Sequence, residues 1–339
     1  MGRFRADQAH VPLPSVKKYY QQRASVPGSL IVTEATAISP WHGGYPHIPG
    51  IYNKDQISAW KEVTDAVHAK GSYIYMQLWA LGRAANPQYL QQGGFPLVSS
   101  SDVPMRSLFT NEIHQPSPLT ERGIQGAITD YTIAAQNAIT AGFDGVEIHG
   151  ANGYLIDQFL QDVSNKRTDK WGGSIENRSR FALEVTRAVV NAVGNDRTAI
   201  RLSPWGKYQG MGMEDPVSQF TDLVQSLAEF KLAYLHLVES EAKHNGETLQ
   251  FLLDAYADAS PVIVAGNYNG ESAKQAVDVE YAKHDVVVAF GRPYISNPDL
   301  VFRLQRDIPL ASVDKDTMYT QDDKGYTDYK FSEQYITSV

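Results

Sequence analysis

The sequence predicts an α/β fold, a (β/α)8 barrel, from three observations. Seven short β-branched runs alternate with longer amphipathic ones. Polar, chemically competent residues gather at the carboxyl ends of those runs, where barrels keep their sites. The 339 residues contain no Pro/Ser/Gly-rich linker, so one barrel-sized domain, 1–339, is the expected organisation.

The strand candidates are 29–35 (SLIVTEA), 72–79 (SYIYMQLW), 145–150 (GVEIHG), 199–204 (AIRLSP), 234–239 (YLHLVE), 261–267 (PVIVAGN) and 286–292 (VVVAFGR). Helical patterns occupy 54–70, 120–141, 174–193, 216–230, 271–282 and 297–306 between and after them. Alternation of this kind makes right-handed βαβ units and a parallel sheet, which eight units close into a barrel. A further helical pattern, 13–24, precedes the first strand. A helix thus comes before any strand, and the barrel is expected to lack its first strand and expose two unpaired edges. The stretch 80–119 is rich in Pro, Gly and Ser without periodicity. It is expected to be a long capping loop that roofs the barrel mouth.

Hydrophobic residues make up 42% of the chain and charged residues 20%, the composition of a globular protein. A net charge of -8 without a basic stripe argues against nucleic-acid or anionic-membrane partners. No apolar run is long enough to span a bilayer, and the start MGRFRADQ is charged where a signal peptide is apolar. A soluble, cytoplasmic protein is expected. The chain has no cysteine, which removes disulfides, thiolate nucleophiles and zinc–thiolate sites.

The strand-end residues are Glu34, Gln77, Trp79, His149, Arg201, His236, Glu239, Asn267 and Arg292. In the last two units, VAGNYN and AFGRPY place Gly266 and Gly291 where this fold binds phosphate, and Arg292 adds a cation. The plainer reading is that both are ordinary strand-to-helix turns. Gln77 donates and accepts while Arg201 only donates, a pair suited to the edge of a planar cofactor ring. Alternatively Arg201 is paired inside the barrel with Glu34 or Glu147. After the third strand, HGANGY sets His149, Asn152 and Tyr154 on one glycine turn. His149 and Asn152 can donate to a single carbonyl oxygen, and Tyr154 carries a phenol able to give a proton. A satisfied core histidine on a plain N-G turn is the bland reading. No lysine stands at a strand end, which disfavours a Schiff-base aldolase. The sequence GMGMED lacks the third glycine of a dinucleotide fingerprint.

GVEIHGANGYLIDQFL followed by SNKRTDKWGGSIENRSRFALEV resembles the central signature of the Old Yellow Enzymes, flavin-dependent ene-reductases on a β/α barrel. RFRAD, YYQQRA, IVTEA, MQLWALGRAA, RLSPWG, YLHLVE, VAGNYN, FGRPYISNPDL and GYTDY follow in the family's order, so the likeness runs along the whole chain. RFRADQAHVPLP and QRASVPGSLIVTEAT are most similar to the fungal branch that includes ergot-alkaloid chanoclavine-aldehyde reductases. The resemblance implies that Gln77 and Arg201 bind the ring of FMN with Ala35 beside it. It implies that Gly266, Asn267, Gly291 and Arg292 hold the FMN phosphate. His149 and Asn152 would grip an enal or enone carbonyl, Tyr154 would protonate the α-carbon, and Trp79 and Tyr319 would line the pocket. NADPH is the implied reductant, trans addition across the C=C bond the implied outcome, and fungal secondary metabolism the implied setting. A homodimer is left open.

Family members carry some forty residues before the point where this sequence starts, forming a hairpin and the first barrel strand. The threonine that ends that segment against the flavin is absent here, which puts FMN retention in question. Two alternatives follow: a flavin-free isomerase or cyclase using the same acid–base residues, and a metal-dependent barrel lyase drawing on His149, His236, Glu34 and Glu239. No metal is expected under the main reading.

Overall fold

The computed structural model describes residues 2–107, 110–240 and 246–338. Among the described residues seven parallel strands form one sheet in chain order, and a two-residue strand, Thr36–Ala37, pairs in parallel with Leu78 and Trp79 at its edge. The seven are β1 (Leu30–Val32), β2 (Tyr73–Trp79), β3 (Gly145–Gly150), β4 (Thr198–Leu202), β5 (Tyr234–Val238), β6 (Val262–Ala265) and β7 (Val286–Ala289). The two ends of the path, β1 and β7, do not pair with one another among the described residues. Leu30 and Val287, on those two end strands, are 42% and 51% exposed. The expected barrel is therefore present with one position in its ring open.

The helices follow the predicted order: α1 (Pro14–Arg23), α2 (Lys54–His68), α3 (Glu121–Thr140), the short α4 (Leu155–Leu160), α5 (Ile175–Val193), α6 (Pro216–Ala228) and α7 (Gln250–Tyr256). Their starts are legible locally. Asn53, Thr120, Ser174 and Asp215 each accept a backbone N–H in the first turn, with a full capping box at Asn53 and Gln56. The sequence patterns do not reveal α7, whose seven residues are too few for the period to show. The stretch 271–282 is a short helix, Gly270–Gln275, followed by a π turn, Ala276–Glu280. The end of the predicted strand 286–292 is likewise corrected, since Arg292 opens a helical turn, Arg292–Ser296.

The two strand parities explain the interior. Residues such as Ile74, Met76, Leu78, Val146, Ile148, Ile200, Leu202, Leu235 and Leu237 point outward and pack against the helices in the main core. The opposite parity lines the barrel. Ala199, Tyr234 and Ile263 form a small apolar layer with Tyr75 and Ala289. Above it the same parity turns polar.

The stretch 80–119 is more ordered than its composition suggests. A 3-10 turn at Gly82–Ala84 and a helix at Pro87–Gln92 begin it. Val98–Ser99 pairs in parallel with Ser117–Pro118, and Met105–Arg106 pairs antiparallel with Ile113–His114. Leu108 and Phe109 of this stretch lie outside the described residues. Among the described residues no helix is long and apolar enough to cross a membrane.

Candidate active site

The polar layer is a hydrogen-bonded belt across four adjacent strands. Register places Gln77 beside Glu147, and His149 beside Arg201, which is itself beside His236. Glu147 lies wholly buried at the centre. Its Oε1 accepts from Gln77 Nε2 at 2.7 Å, and its Oε2 accepts from His236 Nδ1 at 2.7 Å and from the Tyr234 hydroxyl at 3.1 Å. Burial alone would raise the Glu147 carboxyl, but His236, Arg201 and Gln77 outweigh it and hold it down to about 2. A carboxylate only accepts, so the orientation of its neighbours is forced. Gln77 must turn its NH2 inward, which leaves Oε1 uncommitted among the described residues. His236 must carry its proton on Nδ1, so its Nε2 accepts from Arg201 Nε at 3.3 Å. No hydrogen bond among the described residues uses the two terminal nitrogens of Arg201. The pairing of Arg201 with Glu147 is thus indirect, through His236, and Glu34 is engaged elsewhere by the backbone N–H of Arg3 at 2.8 Å.

The belt leaves one acceptor and one forked cation free beneath the mouth, a donor set that fits the edge of a flavin ring. Ala35 is 7% exposed in an apolar cluster with Trp79, Tyr45 and, at its edge, Tyr154. At the ends of β6 and β7, Arg292 Nη1 lies 3.5 Å from Asn267 Oδ1, and both side chains are exposed. Gly291 precedes Arg292 on the same exposed turn. Two donors on an open turn fit a phosphate. Gly266 has a different local reason, because a Cβ there would stand 2.5 Å from Glu239 Cβ.

His149 ends β3, 3% exposed. The backbone N–H of Ala151 donates to its Nδ1 at 3.3 Å, so the ring proton sits on Nε2. Burial, reinforced by Arg201, lowers its pKa well below the usual value and keeps the ring neutral. Asn152 and Gly153 follow in left-handed conformations, φ 58° and 76°, which Asn tolerates and Gly adopts freely. Four bonds fix this pair. Asn152 N–H donates to Ser203 Oγ at 2.7 Å and Gly153 N–H to Asp157 Oδ2 at 2.8 Å. Gln209 Nε2 donates to Asn152 O at 2.7 Å, and Gln158 Nε2 to Gly153 O at 2.8 Å. Tyr154 then caps α4, its ring edge-on to His149 and to Trp79, both centroids 4.9 Å away. Burial and the nearby Tyr208 raise the Tyr154 phenol, so it stays protonated at neutral pH. Trp79 Nε1 is buried without a hydrogen-bond partner among the described residues. Tyr319 stands apart at the rim, 58% exposed, its ring edge-on to Phe4.

Sequence reasoning missed the supports of this turn: Ser203, Gln209, Asp157 and Gln158. Their one signal is position, Ser203 at a strand end and Asp157 three residues after Tyr154. The four ligands weighed for a metal-dependent lyase do not converge, for among the described residues no group of three His, Asp or Glu side chains is placed to hold an ion.

A neutral imidazole, an asparagine turn and a protonated phenol lie beside the polar belt, an arrangement that fits an oxidoreductase of the flavin-dependent barrel class. Residues 1–311 match the NADH:flavin oxidoreductase / NADH oxidase family, and the chain belongs to it. It is 59% identical over 346 residues to a chanoclavine-I aldehyde reductase of Penicillium roqueforti, covering 100% of this chain and 93% of that one. It is 51% identical over 355 residues to an NADP-dependent oxidoreductase of Aspergillus flavus, again covering 100% and 93%. A protein of Epichloe festucae var. lolii named a probable inactive reductase is 51% identical over 352 residues, covering 99% and 91%. Among solved structures, the Old Yellow Enzyme from Pichia sp. AKU4542 superposes with a TM-score of 0.90 at 38% identity, over 98% of this chain and 88% of that one.

Proposed function

We propose that this protein reduces the C=C bond of an α,β-unsaturated aldehyde or ketone with FMN as bound cofactor and NADPH as reductant. Bound FMN supplies the hydride for the β-carbon. Gln77 Oε1 and the Arg201 fork would hold the ring edge, and Arg292 with Asn267 would hold the phosphate. His149 donates from Nε2, and Asn152 from its side-chain amide, to the substrate oxygen, which stabilises the charge that develops there. Tyr154 delivers its proton to the α-carbon. The observation that carries the reading is the belt. Glu147 and His236 together leave Gln77 Oε1 and the terminal nitrogens of Arg201 unengaged among the described residues, on the two strands that flank the one carrying His149. The name of the Penicillium relative supports an aldehyde of the chanoclavine type, in fungal secondary metabolism, as the substrate class.

Purified protein mixed with FMN should show the visible flavin band shifted by binding. Anaerobic NADPH should bleach it, and an enal should restore it. A folded protein with no FMN affinity would overturn the reading and leave His149, Asn152 and Tyr154 to proton transfer alone.

A further inference from the structure

Asp157 is wholly buried on α4, directly under the turn that carries His149, Asn152 and Tyr154. Its Oδ2 accepts Gly153 N–H at 2.8 Å, and its Oδ1 accepts Gln161 Nε2 at 2.9 Å. Ser203 Oγ accepts Asn152 N–H at 2.7 Å, and the same hydroxyl favours the charged form of Asp157. Of the two consecutive N–H groups of the left-handed pair, that of Gly153 therefore ends on this carboxylate and that of Asn152 on Ser203. Arg83 is the charged group that acts on Asp157 from the neighbouring loop, and its guanidinium donates to the carbonyls of Val103, Gln209 and Gly210. Gln161, whose Oε1 also accepts Gly212 N–H, and Ser203 are the other side chains that face it.

We infer that Asp157 is a positioning residue whose carboxylate sets the Asn152–Gly153 peptide and with it the grip of His149 and Asn152 on the substrate oxygen. The inference rests on the ene-reductase reading for what is gripped, and on the hydrogen bonds alone for what is positioned. Gly153 N–H and Gln161 Nε2 both donate to the carboxylate, so a proton on it finds no acceptor between them unless the site rearranges. Burial, opposed by Gln161, Gly153, Ser203 and Arg83, raises the carboxyl to about 7, which puts that rearrangement within the working pH range.

The test has two arms. In the protein without FMN, the Gly153 amide resonance, assigned in glycine-labelled protein, should titrate near neutral pH in the wild type and stay still in Asp157→Asn. In the FMN-loaded enzyme, Asp157→Asn should raise KM for the enal about tenfold while kcat falls less, with the affinity for FMN unchanged. It should also lose the acidic limb of kcat/KM that the wild type shows below neutral pH. A Gly153 amide that does not respond to pH, or an Asp157→Asn enzyme with wild-type KM and acid limb, overturns the inference. Failure of the wild type to bind FMN overturns the ene-reductase reading instead, and the amide arm still decides the positioning role.

Discussion

Glu147→Gln is the sharpest perturbation of the belt. The folded environment lowers the carboxyl from 4.5 to about 2, a preference for the charged form of roughly 3 kcal/mol at 1.36 kcal/mol per unit. A group depressed in this way stabilises the fold above its unfolded value, and that stabilisation disappears as the pH falls from 4.5 through 2. The introduced amide has one acceptor oxygen for donors on Gln77, His236 and Tyr234, so at least one buried donor goes unsatisfied. The expected loss at pH 7 is about 3 kcal/mol, or roughly 4 °C in Tm for a chain of this length. Urea denaturation of the FMN-free protein at pH 7 and below pH 4 reads it, and the gap between wild type and variant should shrink only as the pH falls below the unfolded value of 4.5. The variant should also bind FMN more weakly, because the orientation of Gln77 and the tautomer of His236 are no longer forced. A variant within 1 kcal/mol of the wild type at pH 7, with unchanged FMN affinity, would refute the belt as the organiser of the site.

Tyr154→Phe removes the proton donor and leaves the ring packing, so enal turnover should fall by about 10²–10⁴-fold while NADPH still bleaches the flavin; equal turnover would end its assigned role. Arg292→Ala touches an exposed side chain, so it should leave Tm unchanged and weaken FMN binding by about tenfold in a fluorescence titration. Gly153→Ala places a Cβ 2.8 Å from both Gln209 Cβ and Tyr208 O at φ 76°. It should cost about 1–3 kcal/mol by denaturation, and a neutral result would mean that the turn is far softer than its bonds suggest.

Much of the barrel is legible because its strands are short β-branched runs and its long helices carry caps. The candidate site is legible for a related reason. Parallel barrel strands ordinarily read as continuous apolar runs, so Gln77, Glu147, His149, Arg201 and His236 stand out at alternate positions. Which of them touch is another matter, since it depends on register between strands far apart in sequence. Direct pairing of Arg201 with a carboxylate is a fair expectation from composition, and only the register puts His236 between them. The supports of the turn are illegible because Ser203, Gln209 and Asp157 come from separate segments. The 80–119 stretch hides its two-residue ladders because pairs that short have no period to detect.

Asp157 gives a case in which the site works against the fold. Its folded carboxyl lies at about 7 against 3.8 when free, so the native state holds the extra proton between those values. Stability must therefore fall as the pH rises through that window, by about 4 kcal/mol in all, and then level off. The asparagine introduced by Asp157→Asn has nearly the same shape and no charge to desolvate, although it loses an acceptor. Whatever that lost acceptor costs is independent of pH, so the informative quantity is the change in the stability difference. Between pH 5 and pH 8 the variant should gain about 2–3 kcal/mol relative to the wild type, while its kcat/KM at pH 8 drops. A stability difference that stays constant across that range would show that the carboxylate is ionised at little expense. Asp157 would then be an ordinary anchor of the turn, its charge irrelevant to how His149 and Asn152 are aimed.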